Sequence, residues 1–86
     1  MPKLPVLSGE ELIRLLKKAG FEVVRQKGSH VSLAKGEYRT VVPLHDELAR
    51  GTLRDILNQC GLSRDDLFRL MRVTNEAGIT PSMRYL

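Results

Sequence analysis

Residues 21–43 read FEVVRQKGSHVSLAKGEYRTVVP, and this stretch decides the fold. Three short runs, Phe21 to Gln26, Ser29 to Ala34 and Tyr38 to Val42, are separated by Lys27-Gly28 and Lys35-Gly36. Runs of this length bounded by glycine read as strands. Links this short join neighbours into an antiparallel meander, because glycine accepts the positive φ of a tight hairpin turn. Pro43, without an N–H, ends the third strand. In the second strand Val31 and Leu33 alternate with His30 and Ser32, and a period of two puts the pairs on opposite faces. With the aliphatic pair turned toward helices, His30 faces out.

Working outward, the flanks switch to helical spacing. Ser8 with Glu11 fits a capping box that starts a first helix. Leu12, Leu15, Leu16 and Ala19 form its apolar stripe, Arg14, Lys17 and Lys18 face water, and Gly20 stops it. After an acidic loop at Asp46 and Glu47, Leu53, Ile56, Leu57 and Cys60 repeat the i, i+3, i+4, i+7 stripe up to Gly61. Ser63 with Asp65 and Asp66 then opens a short third helix through Leu67, Phe68, Leu70 and Met71. From Val73 the period fades into VTNEAGITPSMRYL, a tail whose Ile79, Met83 and Tyr85 are placed to dock on the domain or on a partner. The expected class is α+β: a three-stranded antiparallel sheet with two helices on one face, plus a short third helix and a C-terminal tail. Residues 1–72 form one domain and residues 73–86 an extension. Two helices cover only one face of such a sheet, so the other is open.

Eighty-six residues leave room for one core. The net charge of +4 is unevenly placed: residues 1–40 hold eight Lys/Arg against four Glu, and residues 41–86 hold six Arg against six Asp/Glu. A local cationic excess concentrates polyanions and is the footprint of a nucleic-acid binder, as well as of an ordinary solvated basic face. Cys60 is the single cysteine, which excludes an intramolecular disulfide and any Cys/His metal cluster, and it reads as a small buried hydrophobe. The N-terminal MPKLPVLSGEE has no uninterrupted apolar core, so neither a signal peptide nor a membrane span is expected, and a reducing cytoplasm is the natural compartment.

Only histidine titrates near neutral pH without special help, and the chain has two. His30 sits in KGSHVSL with Lys27, Lys35 and Arg39 near it in sequence and Ser29 beside it. An imidazole among cations on an open face can take a proton from a ribose 2′-hydroxyl while the cations hold the phosphate; the bland alternative is an exposed strand histidine with no task. His45, in the loop after Pro43, is a possible second acid or base. The ARGTLRD stretch offers a further anion site from Arg50, Thr52 and Arg54 at a helix start, or plain N-capping by Thr52 with Asp55 in the capping-box role. Metal ligands fall short of the usual three or four, and no GxxxxGK[ST], GxGxxG or GxSxG motif points to a cofactor or an acyl hydrolase. The expected chemistry uses neither metal nor cofactor.

Taken together, SGEELIRLLKKAGFEVVRQKGSHVSL, then TVVPLH, then ARGTLRDILNQCGLSRDDL resemble the HicA toxins over residues 8 to about 70. The specific pieces are the helix ending in AGF, the GSH of the second strand, the VP-x-H after the third, and GTLRxIL-x-x-x-G in helix 2. The resemblance implies the αβββα fold of double-stranded-RNA-binding domains, in agreement with the order read above. It also implies a toxin of a toxin-antitoxin pair that cleaves mRNA independently of the ribosome, with His30 as its catalytic residue and a HicB-like antitoxin as partner. A rival of another class keeps the fold as a non-cleaving RNA-binding or antitoxin-binding module.

Overall fold

The computed structural model describes residues 4–79, with side chains over residues 4–72. Its elements run α1 (Gly9–Lys18), β1 (Glu22–Lys27), β2 (His30–Lys35), β3 (Tyr38–Pro43), α2 (Arg50–Gln59) and α3 (Arg64–Ile79). This is the expected α+β arrangement, with the sheet order β1-β2-β3 and both strand pairs antiparallel.

Local chemistry sets the ends of α1. The Ser8 hydroxyl accepts from the Glu11 N–H at 3.1 Å, and the Glu11 carboxylate accepts from the Ser8 N–H at 2.8 Å. These bonds, led by the Ser8 backbone donor, hold the Glu11 carboxyl below its ordinary pKa. At the other end the Lys35 ammonium donates to the Ala19 carbonyl at 2.6 Å, placing a cation on the helix's negative pole. Leu12, Leu15 and Leu16 turn inward as the stripe predicts.

The buried face of the sheet carries Val31 and Leu33 of β2 and Thr40 and Val42 of β3. Val31, Leu33 and Val42 meet Leu12, Leu16, Leu53, Ile56, Leu57 and Leu67 in one core. Each such aliphatic side chain contributes roughly 1.5–3 kcal/mol on leaving water. Thr40, the one buried polar side chain among the described residues, donates its hydroxyl proton to Gln59 Oε1 at 2.7 Å. Cys60 is buried as expected, and loss of solvation pushes its thiol pKa up to about 11 against the opposing Thr40 hydrogen bond.

The helix layer is offset from the sheet. Both α1 and α2 pack on β3, whereas all six residues of β1 are exposed. Val23 and Val24 therefore meet solvent at the sheet edge.

Two expectations are corrected. Thr52 does not cap α2: the helix begins at Arg50 after Ala49, which makes no side-chain cap bond, so Thr52 sits within the first turn. The third helix is longer than its apolar stripe and continues through Ile79. Its first turn is set by a second box, Ser63 with Asp66, and Leu67 locks it into the core. Beyond Arg72 no proline interrupts the backbone before Pro81, and one glycine near a helix end costs only about 1 kcal/mol. Ile79 thus closes α3, while Met83 and Tyr85 lie outside the described residues.

Candidate functional site: the open face of the sheet

The two-residue turn Gly28-Ser29 follows β1, with Gly28 at φ +59°, a conformation that costs a side-chain-bearing residue but not glycine. That tight turn sets the β1–β2 register and places Lys27 opposite His30. On its other side His30 pairs with Pro43 of β3. The face opposite Val31 and Leu33 then carries three cross-strand rows: Lys27, His30 and Pro43; Arg25, Ser32 and Val41; and Glu22, Ala34 and Arg39.

His30 opens β2 and is exposed on this helix-free face. Directly opposed side chains in a sheet have Cβ atoms about 4.5–5.5 Å apart, so the Lys27 and His30 side chains leave the sheet side by side. The Ser29 carbonyl accepts from the Leu44 N–H at 2.7 Å, which extends the β2–β3 ladder and steadies the turn ahead of His30. The His45 carbonyl accepts from the Gly9 N–H at 2.9 Å, and the Leu7 carbonyl accepts from the Leu48 N–H at 2.8 Å. The loop after β3 is thereby pinned to the start of α1. A Cβ on Gly9 would drive into the Pro43 carbonyl oxygen, so only glycine lets α1 approach this corner.

The other residues singled out from the sequence do not all gather here. Lys27 and Ser29 lie beside His30. His45, exposed, lies in the loop at the same end. Lys35 is the clear departure: it is in phase with Val31 and Leu33 on the helix side of the sheet, caps α1, and holds its ammonium 6.0 Å from the centre of the Phe21 ring. Arg39 shares the open face but opposes Ala34, four residues along β2 from His30, or about 13 Å at the rise of an extended strand. Arg50 and Arg54 are exposed on α2 and Thr52 is half-buried, all in the helix layer at the end to which Pro43 leads. Arg25 was not anticipated: it is exposed, opposes Ser32, and stands two residues along β1 from Lys27. Strand alternation counted back from Lys27 was the signal that would have found it.

Among the described residues no three His, Cys, Asp or Glu side chains cluster as a metal site, and no helix is long and apolar enough to cross a membrane. The model of a known family, HicA toxin of bacterial toxin-antitoxin, matches residues 9–62, from the first residue of α1 to just beyond α2. The chain belongs to the HicA toxin family. No curated protein matches it. The HicA match covers the three strands, His45 and α2, and it stops before α3 begins at Arg64.

Proposed function

We propose that this HicA-family chain is a ribosome-independent endoribonuclease that acts on mRNA in the cytoplasm with His30 as general base, without metal or cofactor. A HicB-like antitoxin restrains it by covering the open face. The observation that carries this reading is His30 on the helix-free face with Lys27 as its partner across the strand pair. The imidazole takes the proton of a ribose 2′-hydroxyl, the freed oxygen attacks the adjacent phosphorus, and the 5′-oxygen of the next nucleotide leaves. Lys27 offsets the charge that builds on the phosphorane oxygens, and the Ser29 hydroxyl beside it adds a donor. His45, at the same end, is the candidate acid that protonates the departing 5′-oxygen. Arg50, Thr52 and Arg54 supply more distant contacts to the RNA backbone from α2, whose first turn has N–H groups that no side chain caps.

A 2′-hydroxyl mechanism leaves a 2′,3′-cyclic phosphate and a 5′-hydroxyl, cuts RNA but not DNA of the same sequence, and proceeds in EDTA. A positioned base is typically worth about 10²–10⁴ in rate, so His30→Ala should lose that factor in cleavage by purified protein while its thermal unfolding stays that of the parent. His45→Ala should lose less. Equal cleavage by the parent and His30→Ala would remove His30 from the chemistry. A parent that binds RNA without cutting it would establish the non-cleaving module in place of the nuclease.

A further inference from the structure

The middle row of the open face holds a feature that the chemistry at His30 does not use. Val24, Ser32, Arg39 and Val41 line one open depression together with the buried Leu33 and Thr40 and, from α2, Gln59. Ser32, one of its lining residues, is opposed by Arg25 on β1 and by Val41 on β3. Val24, also in the lining, lies at an irregularity in β1. Between Val23, which pairs with Leu33, and Arg25, which pairs with Ser32, the extra residue Val24 has no partner. A bulge of this kind changes the local twist and re-aims side chains. Here it sets an exposed valine beside a serine while keeping Arg25 and Lys27 in phase on the open face.

The lining is chemically divided. Val24 and Val41 are 58% and 47% exposed, apolar, and separated by the hydroxyl of Ser32, which both donates and accepts. Arg25 stands at one side with a planar, permanently charged group suited to phosphate. Two apolar walls, one two-way hydrogen-bonding group and an adjacent cation suit a nucleobase joined to its phosphate. Phe21 is buried and Tyr38 opposes Lys35 on the other face, so among the described residues the open face has no aromatic platform for stacking. A base here is gripped between aliphatic walls and read by the serine. Ser32 lies two residues along β2 from His30, about 7 Å at the rise of a strand, which is the reach of a neighbouring nucleotide. A duplex keeps its bases stacked inside and cannot offer one to an open depression on a sheet.

We propose that the depression over Ser32 is a subsite for one unpaired nucleobase of the RNA strand adjoining His30, with Arg25 on that strand's phosphate. The proposal rests on the reading of RNA as the substrate and adds its strandedness and a point at which base preference is set.

The test measures binding of a short unstructured RNA oligonucleotide, and of the same sequence annealed to its complement, in the His30→Ala background so that no RNA is cut. The single strand should bind more tightly than the duplex. Arg25→Gln should weaken binding and reduce the slope of log affinity against log salt by about 0.7, the value of one phosphate contact on a single strand, and Arg25→Lys should restore most of that slope. Ser32→Leu, which fills the depression without altering charge, should weaken binding, leave the slope unchanged, and alter the ranking of oligouridine, oligoadenosine and oligocytidine. Both side chains sit on the solvent side of the sheet, and thermal unfolding checks that each variant is folded. If His30→Ala binds RNA while Arg25→Gln keeps the parental slope and Ser32→Leu keeps the parental base ranking, the subsite is wrong and the nuclease reading is untouched. If His30→Ala binds no RNA at all, both fall.

Discussion

At the residue scale, Lys35 shows how a charge can be committed to structure. Its ammonium sits 2.6 Å from the Ala19 carbonyl, at the negative end of α1, and beside the Phe21 ring. A cation on a helix C-terminus is worth about 0.3–1 kcal/mol. Lys35→Met should therefore lower stability by about that amount in a denaturant titration, and should leave the salt dependence of RNA binding unchanged. Lys27, opposite His30, should behave in the reverse way. A Lys35→Met variant whose RNA binding lost salt dependence would return Lys35 to the nucleic-acid surface. Cys60 is likewise structural: with its thiol pKa raised to about 11 by burial, it stays protonated at neutral pH and offers no nucleophile.

At the element scale, two helices begin on reciprocal boxes and the third does not. Ser8 with Glu11 starts α1, Ser63 with Asp66 starts α3, and α2 follows Ala49 with no cap and no acid in its first turn. Donation from the serine backbones depresses the pKa of Glu11 from its ordinary 4.5 and that of Asp66 from its ordinary 3.8. A carboxyl depressed in the folded state contributes stability that is fully present above its unfolded value and is lost as pH falls through the folded one. Urea unfolding between pH 6 and pH 2 should show stability declining from about pH 4.5 downward. Glu11→Gln keeps an acceptor for the Ser8 N–H but removes the charge, so it should flatten part of that decline. An unchanged pH profile in Glu11→Gln would place the acid sensitivity elsewhere.

At the scale of the whole molecule, the family match ends at residue 62 but the core does not. Leu67 of α3 is fully buried with Leu12, Leu16 and Leu53, and α3 packs on α1. Truncating a fully buried leucine leaves a cavity and costs about 2–5 kcal/mol, so Leu67→Ala should lower the unfolding free energy by that amount in chemical denaturation. In so small a domain that is a large share of total stability. A loss below about 1 kcal/mol would show that α3 is an appendage. The helices lie over β2 and β3 and leave β1 outside the core, so a partner reaching the open face also meets a bare sheet edge.

Much of this was legible in the sequence, because it follows from local rules. Glycine at Gly28 and Gly36 made the hairpins, the period-two alternation at Val31 and Leu33 turned His30 outward, and the spacing of leucines in α1 and α2 chose their buried faces. Nearness in sequence misled at Lys35, since neighbours along a strand point to opposite faces and the one beside a helix end is drawn to its carbonyls. It also misled at Arg39, which shares the face of His30 but lies far along it. The length of α3 exceeded its apolar stripe because backbone hydrogen bonds continue where side-chain packing no longer signals a helix. Arg25 was legible by counting back from Lys27, but the depression over Ser32 came only from tertiary structure. A bulge at Val24 is a matter of how two strands pair, and pairing register depends on contacts across the sheet that no single run of residues contains.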